Sequence, residues 1–343
     1  MNNAAPAMSA DSINSEIGNI TLVYADLDQR GYSRVRKGRG FYYTGTQGRR
    51  LKRRSLIEYC QSLVIPPAWQ QVWISPIRNA HVLSTGLDEA GRKQYIYHPE
   101  WTRIRNTKKF SDLPAFAQHL PALRKKVDTD MRGRKHSKTR VVATALNLID
   151  NGLIRVGNQQ YARTNGTRGA TTLHSHHLSV SGNDITLDFT GKSGQRRHVE
   201  LHDQPLAKSL AVCQELPGQR LFQYKDETGE VTRIDSADVN HYLQACTKQS
   251  FTAKHFRTWG GSVLAMQYLF EHKTTESSKK RERAMVKHVA RQLGNTVSVA
   301  RQYYIHPTLL ELARSQTFTT CSRRRRNGLS PSESQLVRFL NRL

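Results

Sequence analysis

The stretch NTVSVARQYYIHP, residues 295 to 307, sets two phenols side by side between an arginine and a His-Pro pair. A helix turns by about 100° per residue, so Tyr303 and Tyr304 cannot both face one site. If either does chemistry, the question is which. Two other candidate sites weaken on inspection. TGKS, Thr190 to Ser193, imitates the end of a phosphate-binding loop, but Thr186 stands where that motif needs glycine, and the segment reads as a hairpin tip. No other nucleotide-triphosphate loop is present, so an enzyme acting on DNA would be expected to run without ATP. LHSHHL, Leu173 to Leu178, lacks Cys, Asp or Glu at ligand spacing and does not make a metal site. The four cysteines, Cys60, Cys213, Cys246 and Cys321, form no C-x-x-C pair and read as separate thiols.

Charge narrows the partner. Lys and Arg number 53 against 27 Asp and Glu, a formal charge of +26 spread along 343 residues. That excess favours a polyanion. From Arg30 to Arg54 there are ten basic residues and no acid, interleaved with the aromatics of GFYYTGTQGRRLKRR. Cations reach phosphates while flat rings offer stacking, which suits nucleic acid, although a solvated turn between strands has the same composition. No apolar run approaches the roughly 20 residues that span a bilayer, and the first residues lack a signal pattern. The expectation is a soluble intracellular protein with no membrane partner.

The elements that must position such residues fall into two groups. Residues 1–30 read as a poorly ordered leader, with ITLVYADL as a possible strand or helix. QVWISPI, HVLSTGLD and KQYIYHP alternate as short strands. Beyond PEWTRIRNTKKF the pattern turns helical: KTRVVATALNLIDNG and FTAKHFRTWGGSVLAMQYLFEH carry helical spacing, the second with Phe256, Trp259, Val263 and Met266 on one stripe. DITLDFTGKSGQRRHVEL alternates on both sides of a Gly-Lys-Ser-Gly turn and predicts a β-hairpin. The expected fold class is α+β: a small β-rich domain over 31–105, then a larger, mainly α-helical domain over 106–343 with a small antiparallel sheet.

Six segments then occur together in order. IPPAWQQVWISP (65–76), TGLDEAGRKQYIYHPEW (85–101), LIRVGNQQYARTNGTRGATTL (153–173), FTGKSG, KHFRTWG (254–260) and the opening NTVSVARQYYIHP resemble type IB DNA topoisomerases of the poxvirus and bacterial kind. The resemblance runs from about Gly40 to GLSPSESQLVRFL near the end. It implies an active site of Arg155, Lys192, Arg257, Asn295 and Tyr304, the tyrosine nine residues beyond Asn295. It leaves Tyr303 to packing or backbone contact. It implies a DNA-backbone or active-site contact by Lys254, a phosphate contact by Tyr161, and base contacts by Gln94, Tyr95 and Tyr97, although alternation sends Gln94 to the face opposite the two tyrosines. Two departures stand out: many members carry histidine where Asn295 stands, and the proline that often follows the Asn-Thr or His-Thr pair is missing. An amide can still donate to a phosphate oxygen but cannot carry a charge.

The residue types suit phosphodiester transfer. A phenol titrates at about pH 10 when unperturbed, so fixed positive charge around Tyr304 would help it lose its proton. Arg155 and Arg257 would present planar donor forks to non-bridging oxygens, and Lys192 would protonate the leaving 5′ oxygen. The implied enzyme relaxes supercoiled duplex DNA through a 3′-phosphotyrosyl intermediate as a monomeric, C-shaped clamp without metal, cofactor or nucleotide. The rival readings are a tyrosine recombinase or integrase, which usually has histidine where Lys254 stands, and a non-catalytic DNA-packaging protein, which accounts for charge alone.

Overall fold

The structure of the protein, a computed structural model, describes residues 21–272, 277–315 and 328–342. The leader before residue 21, Cys321 and the Arg323–Arg326 run lie outside the described residues, as does the side chain of Tyr161. The fold is α+β, and the chain divides into two compact units, residues 1–108 and 109–343.

The first unit is built on a five-stranded antiparallel sheet: β1 (Tyr32–Lys37), β2 (Gly40–Thr44), β3 (Gln70–Ile74), β4 (Val82–Leu87) and β5 (Lys93–Tyr97), in the order β2-β1-β3-β4-β5. Lys37 pairs with Gly40, leaving a two-residue hairpin loop in which Gly38 takes φ +57°, a conformation open to glycine at little cost. One face buries Tyr43, Val72 and Ile74 against Cys60, which comes from a helix, α1 (Arg54–Ser62). Alternation along the strands did not announce that helix. The described residues of ITLVYADL, 21–27, form neither the strand nor the helix anticipated: among them the regular pairing is a bridge from Val23 to Ala80. Its apolar content is spent on packing instead, with Leu22 buried and Tyr24 edge-on to Trp101 at 5.6 Å.

Helix α2 (Pro99–Ser111) spans the division. The second unit then contains α3 (Leu113–Met131), α4 (Lys138–Gly152), α5 (Gln159–Asn165), an antiparallel sheet of β6 (Leu178–Ser181), β7 (Asp184–Thr190) and β8 (Arg196–His202), and α6 (Gln204–Gln214). A two-stranded ribbon, β9 (Gln223–Lys225) and β10 (Val231–Arg233), precedes α7 (Ser236–Thr247), α8 (Ala253–Glu271), α9 (Ser278–Leu293), α10 (Val297–Tyr303), α11 (Pro307–Arg314) and α12 (Pro331–Leu340). The β7–β8 hairpin forms as its alternation predicts, with Ile185, Leu187 and Phe189 turned into the core. Helix α8 runs through the centre: Phe256, Trp259 and Met266 are fully buried, while Val263 packs at the edge of the core.

A buried polar knot fixes α12 to that centre. Glu333 accepts from the Trp259 indole at 3.0 Å and from Arg124 Nη2 at 2.8 Å, and Arg124 also pairs with Asp150 at 2.7 Å. Ser330 caps the same helix and receives Glu333 in return. Burial alone would raise the Glu333 carboxyl, but the hydrogen bonds and charge of Arg124 outweigh it and hold the group at about 2. A carboxylate depressed in the folded state stabilises the fold fully above its unfolded pKa, and that stability is lost as pH falls through the folded value. The Glu333 contribution is therefore expected to fade between about pH 5 and pH 2. Glu333→Gln should cost about 3 kcal/mol at neutral pH, because Arg124 loses one of two buried carboxylates. Urea unfolding of both proteins at pH 7 and pH 3 checks it: the gap between them should shrink at the lower pH.

Candidate active site

Four chain segments distant in sequence meet near the C-terminal ends of α4 and α9. The first carries Arg155. Helix α4 ends at Leu153 with φ +48°, and Ile154 is buried, which leaves Arg155 directed out of the turn. Its backbone is then gripped by a second strand of chain: Ala170 N donates to Arg155 O and Thr171 N to Val156 O, both at 2.8 Å. A Cβ on Gly169 would lie 2.5 Å from Arg155 O, so this close approach requires glycine.

Arg257 comes from the first turns of α8 and is 3% exposed, so it is not a solvated surface charge. Its Nη1 donates to Leu153 O and its Nη2 to Leu293 O at 2.9 Å, so one guanidinium spans the carbonyl ends of α4 and α9. A cation is favoured there because both helices direct unpaired carbonyls toward it. Asn295 lies just past α9, after Gly294 turns the chain at φ +57°. Its Oδ1 accepts from Arg155 Nη2, which also orients the amide nitrogen.

Tyr304 follows the last residue of α10 and so is not on that helix but just beyond it, its N–H donating to Ala300 O at 3.0 Å. Its own carbonyl accepts from Ser262 Oγ at 3.3 Å, and α8 comes so near that a Cβ on Gly261 would lie 2.6 Å from that oxygen. The ring sits with its centroid 5.1 Å from the Arg257 guanidinium carbon. Tyr303 points elsewhere: its ring lies 5.3 Å from Lys109 Nζ.

The electrostatics follow from this packing. Burial pushes the Tyr304 phenol up, but the charge and hydrogen bond of Arg257, then the charges of Arg155 and Lys254, outweigh it and leave the pKa below its ordinary value. Burial lowers Arg257 to about 10, with Arg155 and Arg197 adding repulsion. It remains a cation at neutral pH. Buried positive charge normally finds a carboxylate, as Arg124 does, yet among the described residues the acceptors of Arg155, Arg257 and Arg197 are the Asn295 amide, backbone carbonyls and the Tyr304 phenol. Arg257 Nε and Asn295 Nδ2 are buried with no hydrogen-bond partner among the described residues. Buried donors are seldom left so. Donors and cations converging on one phenol form a site for an anion with several oxygens.

Arg197 had no place among the sequence candidates. It is 7% exposed on β8, and its guanidinium donates to Gln292 O at 3.0 Å and Arg291 O at 3.4 Å, tying the β7–β8 hairpin to the end of α9. The signal was available: Arg197 shares strand parity with Val199, on the face turned inward. Lys192 is not drawn into the cluster by any contact among the described residues; it is exposed at the hairpin tip, beside Ser193 at φ +64°. Lys254 is exposed one turn before Arg257. In the first unit, Tyr95 and Tyr97 stack at 5.8 Å and are about two-fifths exposed, and Gln94 Nε2 donates to Asp88 at 2.8 Å. Among the described residues no group of three or more His, Cys, Asp or Glu could hold a metal ion, the LHSHHL histidines included. Cys60, Cys213 and Cys246 are free thiols.

Comparison with known proteins adds independent information. Residues 98–323 match the family model described as eukaryotic DNA topoisomerase I, catalytic core, and residues 40–88 match the bacterial DNA topoisomerase IB N-terminal domain. DNA topoisomerase 1B of Acanthamoeba polyphaga mimivirus is 34% identical over 266 residues, covering 75% of this chain and 79% of that protein. DNA topoisomerase 1B of Vaccinia virus (strain Copenhagen) is 22% identical over 255 residues, covering 73% and 77%. Among solved structures, the XerH site-specific recombinase in a post-cleavage complex with palindromic difH substrate aligns at 14% identity and a TM-score of 0.35, covering 66% of this chain and 58% of that one; a likeness this slight carries no argument.

Proposed function

The chain belongs to the type IB DNA topoisomerase family, and from that premise we propose that Tyr304 is the nucleophile, with Arg155, Arg257, Asn295 and Lys192 completing the site. The substrate is duplex DNA. The Tyr304 phenolic oxygen attacks the scissile phosphorus, the bond to the 5′ oxygen breaks, and Lys192 gives that oxygen a proton. A 3′-phosphotyrosyl link and a free 5′ hydroxyl result. After rotation of the nicked strand, the hydroxyl attacks the phosphotyrosine and the phenol leaves, so one ester replaces another and no external energy is consumed.

The observation that carries this reading is the set of unfilled donors against the Tyr304 ring. Arg257 and Arg155 face the non-bridging oxygens, where charge grows in the transition state, and the Asn295 amide adds a neutral donor. With asparagine at that position, positive charge comes from the arginines alone. Lys192 reaches the leaving oxygen when the exposed hairpin tip folds over bound DNA. Lys254 contacts the backbone, as does Tyr161. Tyr95 and Tyr97 form the face that meets the major groove, with Gln94 oriented by Asp88 and its carbonyl and second amide hydrogen left for a base edge. The enzyme acts as a monomer in the cytoplasm, without metal or nucleotide.

Relaxation of negatively supercoiled plasmid in excess EDTA, with no nucleotide added, tests the reading. Complete relaxation is expected. A requirement for a divalent ion or ATP, or strand exchange that depends on paired sites, would overturn it; the second outcome belongs to a recombinase.

A further inference from the structure

The backbone on either side of the Tyr304 α-carbon is held by two different helices. Its own carbonyl accepts from Ser262 on α8 at 3.3 Å. The preceding carbonyl, that of Tyr303, accepts from Lys109 Nζ at 2.5 Å. Lys109 is in the last turn of α2, 194 residues earlier in the chain. We propose that Lys109 is a positioning residue for strand cleavage: by holding the Tyr303 carbonyl it fixes the turn that presents the Tyr304 phenol to phosphorus. The proposal rests on Tyr304 being the nucleophile.

Several features favour a dedicated contact over a lysine caught at random. The ammonium lies 4.2 Å from the Phe110 ring centroid and 5.3 Å from that of Tyr303, so two aromatic faces enclose it beside the carbonyl. Phe110 in turn meets the His306 ring edge-on at 5.3 Å, and His306 N–H donates to Ser262 Oγ at 3.1 Å. The lysine, the aromatic pair and the serine thus form one shell around the Tyr303–Tyr304 peptides. Burial, then repulsion from Lys254, lowers Lys109 to about 7. A long exposed lysine would ordinarily keep its ammonium in water, and here the half-buried group is turned to a carbonyl at the end of α10. The N–H of the same peptide, that of Tyr304, donates to Ala300 O at 3.0 Å, so Lys109 grips by its carbonyl edge a peptide plane that α10 holds by the opposite edge.

Lys109→Met keeps the apolar stem and removes the donor. Under single-turnover conditions with saturating DNA, its cleavage rate is expected to fall roughly 10- to 100-fold, the scale of a small misplacement of a reacting group. Lys109→Arg, which can still donate, should recover part of the loss. DNA affinity, its salt dependence and the melting temperature should stay at wild-type values. Cleavage by Lys109→Met at the wild-type rate overturns the proposal. So does a melting temperature that falls in step with the rate, which marks a general packing role. A log–log salt slope shallower by about 0.9 also overturns it, since that is the signature of one lost phosphate contact. None of these results bears on which tyrosine is modified; Tyr304→Phe, assayed alongside, decides that separately.

Discussion

Tyr304→Phe is expected to form no covalent adduct with DNA and to relax no supercoils, a loss on the order of 10⁴-fold or more, as when an enzyme loses its nucleophile. Tyr303→Phe is expected to retain both activities. The contrast follows from where the two rings go. Tyr304 lies against Arg257 in a pocket whose cations lower its pKa, whereas Tyr303 turns its ring to Lys109 and contributes a carbonyl, which phenylalanine also has. DNA binding by Tyr304→Phe should persist, because the proposed phosphate contacts come from other residues. Gel-shift and adduct assays on the same preparations separate the two effects.

Arg257→Ala is expected to slow cleavage by about 10²- to 10³-fold, the usual cost of deleting one preorganised donor to transition-state charge. Arg257→Lys should recover little of it. One guanidinium reaches Leu153 O, Leu293 O and the phenol together, and a lysine ammonium is a point charge without that planar fork. The alanine variant should also melt lower, because two helix ends lose a shared donor. Measuring rate at a temperature well below both melting points separates the catalytic loss from the structural one.

The strands and long helices were readable from periodicity because each has one face in water and one in the core: Ile185, Leu187 and Phe189 on β7, and Phe256, Trp259 and Met266 on α8. Where that contrast fails, so did the reading. Helix α1 buries only Cys60 fully, and the described residues of ITLVYADL are held by ring packing, a bridge and scattered hydrogen bonds instead of a ladder. The site is a different matter. Arg155, Arg257, Asn295 and Tyr304 were named through a resemblance, since no local pattern joins residues 140 positions apart such as Arg155 and Asn295. Supporting groups were less legible still. Lys109, Arg197 and Ser262 act on backbone carbonyls, and a carbonyl has no letter in the sequence; only the inward parity of Arg197 gave a hint. Lys192 is exposed at its hairpin tip, as a lone lysine on such a turn ordinarily is.

One phenol, placed just beyond α10 and surrounded by arginines that have no carboxylate partner among the described residues, is proposed to hold the broken strand. The most direct test is to trap the protein on DNA under denaturing conditions, digest it, and locate the nucleotide-bearing peptide by mass. A single modified residue, Tyr304, linked to the 3′ phosphate, is the expected result. A nucleotide on Tyr303 or any other residue, or a link to a 5′ phosphate, would contradict it.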